Sequence, residues 1–166
     1  LDGSRAISVV NALETAQTTA LTIMAAGGSN SNNQFYTNTL QNCNLGIALV
    51  GFADADPFAY ADQNNDIGGS APGTGNSIIN YGGGGSTNPA AAVRAQNQYG
   101  FNVSYNTINN NDGAGVNHTT TLRGIYIQNA TSASTTIMNN NIAIKFGGTT
   151  SQVSVIENTS GSTAAG

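Results

Sequence analysis

Charge is what this chain has least of: only 7% of its 166 residues are Asp, Glu, Lys or Arg, against about 25% in ordinary soluble proteins. The four cations, Arg5, Arg94, Arg123 and Lys145, stand against eight acids and are scattered along the sequence. Nucleic-acid binding draws on clustered Lys and Arg that release phosphate counterions, so that partner class is excluded. The shortage of charge also argues against charge-driven disorder. Apolar runs are short. Ile47 to Val50 is typical of the longest, far from the ~20 residues a membrane-spanning helix needs. With one Lys and two Glu, the exposed face of an ordinary helix has little to be made from. Cys43 stands alone, so an intrachain disulfide is excluded and the residue reads as a small buried hydrophobe. No signal peptide is visible and the sequence begins at Leu1, which reads as a mature or excised segment.

Asn, Thr, Ser, Gly and Ala take the place of charge. These residues suit a structure of backbone hydrogen bonds and tight corners, where Gly and Asn tolerate left-handed conformations. The second half repeats. Val93 to Asn97 is followed by the triplet Asn109-Asn110-Asn111, and Ile125 to Asn129 by Asn139-Asn140-Asn141. Val155 to Asn158 starts the pattern again, giving Asn offsets of 32 and 29, and a triplet offset of 30. Apolar residues alternate within each repeat: Phe101, Val103, Tyr105; Ile125, Ile127; Ile142, Ile144, Phe146; earlier, Leu45, Ile47, Leu49. Alternation of this kind marks strands with one buried face. Ala6–Val10 and Ala20–Met24 also read as strands, although Val10, Leu13, Gln17, Ala20 and Met24 carry a partial helical spacing.

Short strands, a period near thirty and Asn at the corners predict an all-β fold, a right-handed parallel β-helix of about five coils of roughly 30 residues. Residues 1–159 form one domain or part of a longer one, and 160–166 read as a flexible tail or linker. Asn residues at equivalent corners are expected to stack into ladders. Truncated solenoids expose a strand edge, so flanking coils of a longer chain or end-to-end self-association are the expected partners.

Leu1-Asp2-Gly3-Ser4, Ser31-Asn32-Asn33, Leu40-Gln41-Asn42-Cys43 and Asn65-Asp66-Ile67-Gly68-Gly69-Ser70 together resemble large β-helix surface proteins of Bacteroidetes exported by the type IX route. Asn106 to Asn111 is similar to the Asn-x-Ile-x-Asn-Asn coils of pectate-lyase-like helices. The resemblance implies an extracellular or cell-surface location. Two roles are open: a non-catalytic scaffold or adhesin segment, from the charge-poor solenoid without caps or a catalytic constellation, or, by analogy of fold and from the acidic loop and tyrosines, a module that binds or degrades polysaccharide or a surface glycan.

The chemistry-bearing residues are few. Asp54, Asp56, Asp62 and Asp66 form the single acidic cluster, readable as a calcium site or as a solvated insertion between coils. Phe58 and Tyr60 in the same loop offer flat apolar faces for a sugar ring, and Tyr81, Tyr99, Tyr105 and Tyr126 extend that reading to a groove. Packing against neighbouring strand residues is the other reading of each. Arg94 and Arg123 fall at similar places in two repeats, either as ligand-binding residues or as solvent-facing strand positions. His118 is expected in an exposed loop near Asp112, and Gly82 to Gly85 lacks the Lys-Ser/Thr of a phosphate loop. No catalytic constellation emerges. A Thr-rich flat face that binds a lattice is suggested by Thr119 to Thr121 and Thr135-Thr136, without a regular Thr-x-Thr array.

Overall fold

A computed structural model describes residues 4–13, 16–83, 90–113 and 115–161. The expected tail beyond 161, the resemblance residues Leu1-Asp2-Gly3 and the run Gly84-Gly85 lie outside the described residues. In chain order the strands are β1 Arg5–Val10, β2 Ala12–Leu13, β3 Ala16–Ala20, β4 Gln34–Phe35, β5 Thr39–Gln41, β6 Leu45–Val50, β7 Asp62–Gln63, β8 Asp66–Ile67 and β9 Ser77–Ile79. They continue as β10 Ala90–Gln96, β11 Gln98–Tyr99, β12 Phe101–Ser104, β13 Thr107–Asn109, β14 Leu122–Gln128, β15 Thr135–Met138, β16 Asn141–Ala143 and β17 Val153–Thr159.

Three parallel faces wrap one core. The first is β1-β6-β10-β14-β17, the second β4-β8-β12-β15 and the third β5-β9-β13-β16. The chain visits them in rotation, so each passage from one first-face strand to the next is one coil. This is a parallel β-helix of about four turns, with β17 starting a fifth coil. One antiparallel hairpin, β2-β3, projects after β1, and the short pair β7-β11 sits at the corner after the first face.

Alternation is the cause of the core. On the first face Ile7, Ile47, Val93, Ile125 and Ile156 are successive rungs, as are Val9, Leu49, Ala95, Ile127 and Asn158. The second face contributes Phe35, Ile67, Val103 and Ile137, and the third Leu40, Ile78, Ile108 and Ile142. The central rungs, Ile47, Leu49, Ile67, Ile78, Val93, Val103, Ile108, Ile125 and Ile127, are wholly excluded from solvent. Burial of each such side chain stabilises the fold by about 1.5–3 kcal/mol. Cys43 lies buried in the same cluster as a small hydrophobe, as its solitary occurrence suggested.

The structure departs from the sequence expectation at three places. Strand β3 ends at Ala20, and Leu21 to Met24 form an irregular stretch in which Met24 is 83% exposed. The last coil is offset from its predecessor by 31 residues, because Ile125 faces Ile156 and Ile127 faces Asn158. The sequence offset of 29 had paired Asn129 with Asn158. The Asn triplets are not equivalent either: Asn141 stands opposite Thr107, so Asn109 to Asn111 lie at a different corner from Asn139 to Asn141.

Candidate functional site

Corners decide where polar chemistry sits in this fold. After the second face, Asn38, Asn76, Asn106 and Asn140 stack coil upon coil. Asn38 Nδ2 donates to Asn76 Oδ1 at 2.9 Å, Asn76 Nδ2 to Asn106 Oδ1 at 2.8 Å, and Asn106 Nδ2 to Asn140 Oδ1 at 3.0 Å. Each of these oxygens also accepts the backbone N–H of the preceding Asn. The remaining amide hydrogens reach carbonyls of the neighbouring coil, Phe35 O, Ile67 O and Val103 O. The expected ladder exists, on residues that the triplet pattern located only in part. Thr37, Tyr105 and Asn139, each immediately before a rung, hold positive φ of 54°, 60° and 54°.

The acidic cluster divides. Asp54 Oδ1 and Oδ2 accept the backbone N–H groups of Ala55 and Tyr60, stapling its own loop. Asp56 is exposed. Asp62 is 1% exposed; it accepts from Asn30 N–H and Gln98 Nε2, and burial raises its pKa despite both donors. Gln98 Oε1 in turn accepts from Asn65, whose own oxygen accepts from Asn33, a second amide stack at the corner after the first face. Asp66 points outward from the second face and accepts from the Tyr36 hydroxyl, Asn102 Nδ2 and Gly69 N–H. Among the described residues, no three His, Cys, Asp or Glu side chains converge as a metal site would require.

The aromatic residues also separate. Phe58 stacks on Tyr99 with ring centroids 4.7 Å apart, and Tyr60 beside them is 37% exposed. A groove lined by all the tyrosines does not form. Tyr81 is in the core, with burial raising its hydroxyl pKa; Tyr105 is a left-handed corner residue; Tyr126 lies on the first face. The column holding Thr136 runs Gln34, Asp66, Asn102, Thr136, which is polar but not a Thr array.

His118 is buried, at 1% exposure, rather than in an open loop. Its Nδ1 accepts the Gly83 N–H at 3.0 Å, which places the proton of the neutral ring on Nε2, within reach of Thr121 O and Thr120 Oγ1. Desolvation lowers its pKa. The sequence carried no signal of this, because Gly83 approaches it only through coil stacking.

The arginines meet on the outside of the first face. Arg94 faces Tyr126 across the β10-β14 ladder, and Arg123 faces Ala91, so the two are three rungs out of register and not equivalent. Arg123 is closed: its Nε and Nη2 hold the Glu157 carboxylate at 2.8 and 3.1 Å, and its guanidinium lies 4.0 Å from the Tyr126 ring centre. Arg94 is open. Nη2 donates to Gln96 Oε1 at 3.2 Å, while Nε is buried with no partner. Beside it lies a cleft of about 370 Å³ whose walls include Arg5, Arg94, Asn11 and Asn97, over the outward side chains of Val10 and Val50. No family profile, curated protein or solved structure matches this chain.

Proposed function

We propose that this chain is an extracellular structural segment, a rigid β-solenoid that holds apart and displays loops as a scaffold or adhesin does, without catalysis. One observation carries the reading: Asp54, Asp62, Asp66 and the corner asparagines are engaged within the fold, in a loop or between coils. Asp54 staples a loop, Asp62 joins a buried amide stack, Asp66 ties three neighbouring groups, and the Asn ladder links four successive coils. Hydrolysis of a glycosidic bond needs two carboxyl groups facing one another across a substrate, and these carboxylates already have partners of their own. The resemblance to exported β-helix surface proteins supports the location and the type IX route.

A second reading, a carbohydrate-binding module, is favoured by the Phe58–Tyr99 stack with the half-exposed Tyr60 on the same loop. One experiment tests both. The purified folded chain is incubated with a broad polysaccharide panel, with calcium and with a chelator, and product release, binding and melting temperature are followed. The scaffold reading expects no product, no retained glycan and a melting temperature indifferent to calcium. Release of oligosaccharides overturns it, and calcium-dependent retention moves the function to the acidic loop.

A further inference from the structure

We propose that the cleft beside Arg94 binds a carboxylate carried on a ligand with an apolar or C–H-rich body. The fold itself shows what satisfies this kind of arginine. One strand along, Arg123 presents its Nε–Nη2 edge to Glu157, two charge-assisted bonds to one carboxylate. Arg94 presents the same edge from β10, half-filled by the neutral Gln96 oxygen, with Nε buried and unpartnered. A buried donor left unmade costs stability and calls for an explanation.

No carboxylate of the described residues supplies the missing partner. Their single ion pair is Arg123–Glu157. The groups around Arg94 are cationic or neutral: Ala48 opposite it on β6, Tyr126 opposite it and Arg123 nearby on β14, and Arg5 one strand further on β1. Three of the chain's four cations thus share one outer face, and Arg94 gives up solvent beside two of them. A bound anion relieves both repulsion and desolvation. The space suits a ligand larger than an ion. Val10 and Val50, adjacent rungs of the outward column that continues through Gln96 and Gln128, make an apolar floor under about 370 Å³. The opposite walls, Asn11 and Asn97, bring polar corner residues to the rim. A ring or chain lies on the valines while its carboxylate meets the Arg94 edge, with Arg5 adding a second positive charge.

The test is an NMR titration of arginine Nε–H resonances in the intact chain, with sodium glucuronate, glucose and sodium sulfate as probes at constant ionic strength. The expected result is a saturable shift of the Arg94 signal with glucuronate, none with glucose, and no comparable shift at Arg123. Arg94→Gln should weaken glucuronate binding at least about tenfold, the loss of a charged hydrogen-bond pair. Arg5→Gln, at an exposed position, should weaken it a few-fold, and it keeps the test valid if the Arg94 variant unfolds. A response that follows ionic strength alone, unchanged affinity in both variants, or tighter binding of sulfate than of glucuronate overturns the assignment.

Discussion

Asn140 receives both the carboxamide and the backbone N–H of Asn106 on a single oxygen, at 3.0 and 2.9 Å. Asn106 in turn accepts the same pair from Asn76 and donates to Ile67 O and Ser104 O, all within a corner where it is 1% exposed. Asn106→Ala therefore strands several buried groups at once. The expected loss is about 2–4 kcal/mol, several neutral hydrogen bonds with their partners left unsatisfied. Asn140→Ala, at the last described rung, should cost less. Urea unfolding followed by circular dichroism measures both. A loss at Asn106 under about 0.5 kcal/mol, the scatter of ordinary surface substitutions, would mean the ladder is ornamental.

His118 gives the fold an acid sensitivity. In the unfolded chain it takes a proton near 6.5; in the folded chain burial holds its pKa below that value. The unfolded state therefore binds more protons in the window below 6.5, and stability falls as pH drops through it. Protonation puts a donor on Nδ1, where the Gly83 N–H already points, so that contact turns repulsive. Because the chain has a single histidine, its ring resonances need no assignment. Their titration midpoint should lie below 6.5, and a midpoint at or above it rejects the buried neutral ring. Asp62 acts with the opposite sign. Its pKa is raised above 3.8, so its contribution is present below that value and lost as pH rises through the folded pKa.

The faces were legible because alternation is a local property: Ile125 and Ile127, Phe101 and Val103, Ile47 and Leu49 announce their inward side unaided. Register was not. The Asn triplets at 109 and 139 look alike, yet loop length between β13 and β14 differs from that between β16 and β17, and only stacking decides which Asn meets which. The same holds for Asp62 and His118. Each reads as a loop residue in sequence, and each is drawn inside by a partner from another coil, Gln98 in one case and Gly83 in the other. Arg94 and Arg123 were visible as candidates, but which of them was already paired depended on Glu157, 34 residues from Arg123.

The Arg123–Glu157 pair sits with side chains 12% and 15% exposed, sheltered enough to hold its geometry. The hydrogen bond from Arg123 keeps the Glu157 carboxyl below its ordinary 4.5. Its contribution is thus complete above 4.5 and lost as pH falls through the folded value. Glu157→Gln should cost about 1 kcal/mol at neutral pH, the upper end for a partly exposed pair. The difference between wild type and variant should shrink in high salt. An equal difference at low and high salt would assign the cost to packing over Tyr126 instead.

The last described coil leaves a step. Strand β17 covers β14, but β15 and β16 are the final strands of their faces, and their outer edges have no neighbour among the described residues. Met138, Val155 and Ile156 are 50%, 51% and 49% exposed there, around a hollow of about 270 Å³ over Ile137 and Ile142. Unpaired parallel edges joined to exposed aliphatics are a template for further strands. A polypeptide that continues the rotation, a second-face strand on β15 and then a third-face strand on β16, fills the step. A second copy entering with its own β1 over β17 leaves that level of the other two faces empty. End-to-end contact between copies should therefore be weak and concentration-dependent. Sedimentation velocity of the isolated chain should show reversible growth in mass with concentration, and Met138→Lys with Val155→Lys should suppress it by placing charge on the open edge. Association unaffected by both substitutions would locate the contact on another surface, and a strictly monomeric chain at every concentration would leave flanking coils as the occupant that the step fits.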